Sequence, residues 1–145
     1  MRVTMLLADA AQVAEGKLNI LGGGWDVCGP GPTPMAVAVI LEVPPSEARR
    51  KHTWSLVLVD ENGEPALLPA DGQKSTVAIQ GEIQRIRSPK SASPDRPDSL
   101  RFTVNMAPLP LEPNTSYAWR LHIDNKTRKD WQVSFSTRPA TALSS

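Results

Sequence analysis

Residues 109–138 read Leu-Pro-Leu-Glu-Pro-Asn-Thr-Ser-Tyr-Ala-Trp-Arg-Leu-His-Ile-Asp-Asn-Lys-Thr-Arg-Lys-Asp-Trp-Gln-Val-Ser-Phe-Ser-Thr-Arg. Before the charged turn, Tyr117, Trp119, Leu121 and Ile123 alternate with Ala118, Arg120 and His122; after it, Trp131, Val133 and Phe135 alternate with Gln132, Ser134 and Ser136. Successive side chains of a strand point to opposite faces. Alternation on both sides of a polar turn therefore predicts an antiparallel hairpin with one buried face. That reading assigns Trp119 and Trp131 to a core and turns His122 outward.

Working outward, Leu100, Phe102, Val104 and Met106 give the preceding strand, and 108–113 reads as a crossover into the hairpin. Residues 35–43 (Met-Ala-Val-Ala-Val-Ile-Leu-Glu-Val) are apolar on both faces and predict a central strand. Residues 52–59 put Trp54, Leu56 and Leu58 on one face, so Trp54 also reads as core. The following Asp60-Glu61-Asn62-Gly63 predicts a tight hairpin turn, with 64–69 as a proline-bearing return arm at an edge. Residues 76–86 alternate again. The loop 87–98 carries three prolines and three serines and is expected to be the most mobile segment.

Towards the N-terminus, 2–7 reads as a first strand. Residues 8–14 (Ala-Asp-Ala-Ala-Gln-Val-Ala) are helix-friendly but span only about two turns. Residues 17–21 resume an extended pattern, and Gly22, Gly23 and Gly24 interrupt it as at a bulge or a close backbone approach. Residues 25–28 continue it. The run 29–34 (Gly-Pro-Gly-Pro-Thr-Pro) reads as a connection, since proline removes donors and biases its predecessor away from the helix. Ser46 would cap a single helical turn over 46–50. The sum is an all-β chain: a single antiparallel β-sandwich of about eight strands with one or two short helical turns, spanning 1–139, followed by a flexible tail, 140–145.

Composition narrows the class. A net charge of +1 gives no electrostatic case for nucleic acid or an anionic membrane surface. Cys28 is the only cysteine, so no intramolecular disulfide exists. The apolar run 3–8 is shorter than the roughly seven to fifteen residues of a secretory h-region. A cytoplasmic location is the expectation.

Two resemblances follow from these residues. The run Leu111-Glu-Pro-Asn-Thr-Ser-Tyr117 resembles the approach to the penultimate strand of fibronectin type III-like domains. This implies an immunoglobulin/fibronectin-III-like architecture in which Tyr117 has a structural role at a corner. The whole chain resembles an uncharacterised family of small actinobacterial β-sandwich proteins. The residues that carry this are Leu6-Leu7-Ala8-Asp9, Gly16-Lys17-Leu18-Asn19-Ile20-Leu21-Gly22-Gly23-Gly24-Trp25, Tyr117-Ala-Trp119-Arg120 and Asp130-Trp131. Ala10-Ala11 departs from the aromatic residue expected there. The resemblance implies no activity.

Chemistry-bearing patterns are sparse. Cys28, His52 and His122 lack the spacing of a zinc site, so no metal is expected. No Gly-x-Ser-x-Gly elbow occurs, and a lone thiol in a strand reads as a core residue. The triple glycine lacks the Gly-Lys-Ser/Thr ending and the helix of a phosphate loop. No cofactor is expected. The leading expectation is a non-catalytic interaction, accessory or scaffold domain acting by protein contact or self-association. Its contact candidates are Trp25, Asp26, Pro30, Pro32, Arg87 and Lys90 in the segments 22–34 and 87–98. One alternative is a small-ligand or carbohydrate binder built on Trp25 and the adjoining Gly/Pro-rich loop; a virion or prophage structural component is another. An enzyme using Cys28 or His52 is the least favoured reading.

Overall fold

The computed structural model describes residues 1–84 and 98–140. Its strands are β1 (Arg2–Ala14), β2 (Lys17–Gly23), β3 (Val27–Cys28), β4 (Gly31–Val43), β5 (His52–Asp60), β6 (Leu67–Ala70), β7 (Gln73–Thr76), β8 (Ala78–Ile83), β9 (Asp98–Leu111), β10 (Ser116–Ile123) and β11 (Gln132–Thr137). The one helical element among the described residues is a 3₁₀ turn, Pro45–Glu47. A first sheet has the order β2-β1-β4-β9, a second the order β3-β11-β10-β5-β8, and β6-β7 is a separate hairpin. Every pairing is antiparallel except β3 with β11. The chain is an all-β sandwich. The predicted mobile loop lies outside the described residues except for Asp98, which opens β9, and the tail lies outside them after Ala140.

The strand limits depart from the sequence reading at several places. Residues 8–14 are not helical. They extend β1, whose first half pairs with β4 and whose second half pairs with β2, so tertiary pairing overrides a weak helical propensity. The Gly-Pro run is not a free connection either: Gly31, Pro32 and Thr33 pair with Leu111, Pro110 and Leu109. The register shifts between Thr33 and Met35, and that irregularity takes Pro34 on one strand and Pro108 on the other out of the ladder. β9 therefore runs on through the predicted crossover. Ser46 caps nothing, because the 3₁₀ turn opens at Pro44 with no side-chain cap. Asn62-Gly63 does turn, with the Gly63 N–H donating to the Asp60 carbonyl, and the return arm starts along β5, where the Asp60 N–H donates to the Glu64 carbonyl and the Ala66 N–H to the Leu58 carbonyl about the Val59–Pro65 bridge; from Leu67 it pairs instead with β7.

The core lies between the two sheets. Leu7, Met35, Val37, Val39 and Leu41 of the first sheet face Leu56, Leu58, Trp119 and Leu121 of the second, and all are fully buried. Trp119 is the largest of them, and its indole N–H donates across the sandwich to the Met35 sulfur, at 3.3 Å. Trp54 stacks on Phe102 of the opposite sheet with centroids 4.6 Å apart. It also lies flat over Gly81, its partner on β8, where a Cβ would come within 2.7 Å of the indole. Trp54 is half-buried and Trp131 buried beneath the Arg128 guanidinium. Tyr117 stacks on Phe135, and its hydroxyl accepts the Glu112 N–H at 3.0 Å, as the corner motif implies. Burial, the larger influence, pushes the Tyr117 hydroxyl up from its ordinary value.

A polar clasp joins β5, β10 and the 3₁₀ turn. His52 is fully buried, with Nδ1 2.8 Å from Asp124 Oδ2 and Nε2 2.9 Å from the Glu47 carbonyl. Both partners accept, so satisfying both takes an N–H on each ring nitrogen. Asp124 also accepts the Thr53 N–H and an Arg50 N–H. Burial pulls the Asp124 carboxyl upward, but the bonds from His52 and Thr53 and the charges of His52 and Arg50 outweigh it and hold it below the usual carboxylate range.

Three outcomes are expected. Trp119→Ala costs about 3–5 kcal/mol and Tyr117→Phe about 1 kcal/mol, read as shifts of the urea midpoint at constant m. A depressed folded-state carboxyl contributes stability that is complete above its unfolded value of about 4 and fades as pH falls through the lower folded value. Asp124→Asn should therefore be less stable than wild type at neutral pH, with the gap closing below about pH 4. A gap independent of pH would show that the Asp124 charge contributes nothing.

Candidate functional site

Two surfaces combine exposure with unusual chemistry. The first is the arm formed by the second half of β1 and by β2. Glu15 and Gly16, both at positive φ, make the two-residue turn that joins them. After Ala8, β1 leaves β4 and curls over the outer face of the first sheet, so that Ala11 reaches Asn105 of β9. The Asn105 side chain accepts the Ala11 N–H at 3.1 Å and donates to the Ala11 carbonyl at 2.7 Å. Ala8, Ala11, Ala36 and Ala38 fill the space beneath as a second, small core, flanked by Leu6 and Leu18. Alanine suits this place because a larger side chain would lift the arm off the sheet. The curl also needs Gly22, which is left-handed at φ 60° and lies under the Asp9 carboxylate where a Cβ would collide. Gly23 is held by its neighbours too, since a Cβ there would stand 2.5 Å from Ile20 Cγ2. The expected bulge is absent, because the β1–β2 register is the same at Gly23 as at Leu21; the close approach of Asp9 and Ile20 is what requires glycine at 22 and 23.

The arm leaves apolar surface in solvent. Leu21 is 70% exposed, Val13 40% and Ile20 39%. A hollow of about 530 Å³ runs along it, lined by residues such as Ala10, Asn19, Leu21 and Asn105. β2 ends its sheet, so one side of its backbone is open.

The second surface is a cleft of about 370 Å³ on the outer face of the second sheet. Val59 and Ala118 are its buried apolar floor, Arg120, Ser116 and Ser134 line it, and Asp26, Asp60 and Glu61 bring negative charge. Arg120 is held by the Gly63 carbonyl at 3.3 Å and by Gln132 Oε1 at 3.4 Å. Further along β10, His122 lines a separate hollow with Ser55, Gln80 and Glu82. Its ring projects from the outer face as the alternation predicts, is half-buried there, and its Nδ1 has no partner among the described residues.

The sequence-derived candidates do not converge. Trp25 is half-buried, edge-on to Phe135 at 6.1 Å, with its indole nitrogen buried and without a partner among the described residues. Asp26 lines the cleft, whereas Pro30 is exposed between β3 and β4, and Pro32 is exposed on β4 in the other sheet. Arg87 and Lys90 lie outside the described residues. Cys28 and His52 are not brought together, since β11 and β10 lie between their strands. Burial pushes the Cys28 thiol up, more than the Arg138 charge lowers it, which leaves little thiolate. His52 is engaged at both ring nitrogens in the clasp. Sequence reasoning missed Asn105 and Asp124, each of which looks like an ordinary polar strand or turn residue until its distant partner is known.

Among the described residues no group of three His, Cys, Asp or Glu side chains could hold a metal ion, and no helix is long and apolar enough to cross a membrane. No curated protein matches the chain. A family model described as "Family of unknown function (DUF6941)" matches residues 3–135. The protein therefore belongs to the DUF6941 family, and its sandwich is that of a family to which no function is assigned.

Proposed function

We propose that the protein is a non-catalytic contact domain, working in a reducing cytoplasm and engaging a protein partner through the β1–β2 arm. One observation carries this reading: three of the five large hydrophobic residues exposed on the described surface belong to this arm, Val13 and Ile20 on one of its faces and Leu21 on the other. Water-exposed aliphatic side chains scattered singly need no explanation, but a group beside an open strand edge favours association. The arm is also held in place before any encounter. Asn105 grips its backbone and the alanine core packs its underside, so little ordering entropy opposes binding.

A second reading rests on the cleft. Asp26, Arg120 and the serine hydroxyls offer donors and acceptors over an apolar floor, which suits a small polyhydroxylated ligand. No aromatic face is exposed among its lining residues for a sugar ring to stack on, and this ranks it below the arm.

A photo-crosslinking residue at Leu21 is expected to capture a discrete protein adduct in the native host, while the same probe at Lys74 on β7 is not. Equal labelling at both positions, or none at Leu21, would overturn the contact reading. For the cleft, a titration of intrinsic indole fluorescence with neutral sugars should show a saturable change that Arg120→Ala abolishes; a flat response ends that reading.

A further inference from the structure

We infer that the partner of the arm is a second copy of this chain, joined β2 to β2 in antiparallel fashion about a two-fold axis at Asn19. The inference rests on the contact reading above and names its partner.

The direction of the free hydrogen bonds follows from Asn105. A backbone N–H has one proton to give, and that of Ala11 goes to Asn105. Ala11 stands opposite Ile20, so this pair is of the non-hydrogen-bonded kind, and Ile20 turns its own N–H and C=O to the open side of β2. Leu18, two residues earlier, does the same. Two β2 strands meeting edge to edge must therefore bring these even-numbered positions together. Gly22 is left-handed and cannot continue a regular ladder. The register that uses only regular residues sets Leu18 against Ile20 of the second copy, and Ile20 against its Leu18. Each such pair exchanges both backbone bonds.

Side chains agree with this register. Leu18 and Ile20 become cross-strand neighbours on one face, and Asn19 meets Asn19 of the second copy on the other. Leu21, the most exposed large apolar side chain, comes to lie along the methylene stem of Lys17 from the second copy. The other edges of the sandwich are less suited to pairing. β9 carries Pro108 and Pro110 and an exposed Arg101, β8 carries the Glu82–Lys51 ion pair, and β3 is two residues long.

The test uses the full chain. Light scattering after size exclusion should give a mass of two chains that falls to one on dilution. Leu21→Lys, which sets a like charge directly opposite Lys17 of the second copy, should weaken the dimer about tenfold, whereas Leu21→Glu should not. An unchanged near-ultraviolet circular dichroism spectrum shows that these variants are folded. In a Cys28→Ala background, Asn19→Cys should form an intermolecular disulfide on mild oxidation, because directly opposed non-hydrogen-bonded positions lie about 4.5 Å apart, within disulfide range. Lys74→Cys should not. A mass of one chain at every concentration, or Asn19→Cys crosslinking no faster than Lys74→Cys, overturns the inference. If Leu21 then still captures a different protein, self-pairing has failed and the contact reading stands; if it captures nothing, both have failed.

Discussion

Trp119 holds the two layers of this protein to one another. Its indole is shut away from water, its N–H is given to the Met35 sulfur on the opposite sheet, and it pairs across its own sheet with Leu58. A group of that size fixes the spacing of the sandwich. Once the spacing is set, Trp54 must stack on Phe102, and Gly81 must be a glycine to leave room for the other face of the same indole. The hydrophobic gain from these contacts is non-directional. The indole N–H and the Tyr117 hydroxyl add direction, so the sheets have one way to lie against each other rather than several.

Polar contacts define the two ends of the molecule. The clasp of His52, Asp124, Thr53 and Arg50 closes one end of the second sheet, and the bond from Glu112 N–H to Tyr117 closes the other. Neither resembles a reactive centre, because every group in it is already committed to a partner within the fold. The open valences lie elsewhere, on the edge of β2 and in the cleft around Arg120. That division of labour is common in sandwiches, where a rigid frame carries loops and edges that make the contacts.

Much of the frame was legible in the sequence. Alternation in 116–123 and 131–137 identified the closing hairpin, and a run apolar on both faces marked β4 as central, which it is, between β1 and β9. Tyr117 was placed correctly at its corner. Failures came where a short-range signal was overruled by a distant partner. The helix-friendly 8–14 became strand because β2 and Asn105 take its backbone groups. Gly31 to Thr33 became strand because Leu109 to Leu111 pair with them, and the adjacent irregularity absorbs Pro34. The candidate sites were less legible still. Asn105 is 94 residues from Ala11, and Asp124 is 72 from His52, and no local pattern announces either pairing. Contact candidates chosen for their turn chemistry, such as Pro30 and Pro32, were scattered by the fold, whereas most of the arm was read as a short helix candidate and an ordinary strand.

The prolines near the end of β9 have an effect on architecture beyond their own strand. Pro108 and Pro110 remove two backbone donors from the end of β9, the strand at the far flank of its sheet. That flank is accordingly a poorer template for an added strand than the edge of β2, which carries no proline.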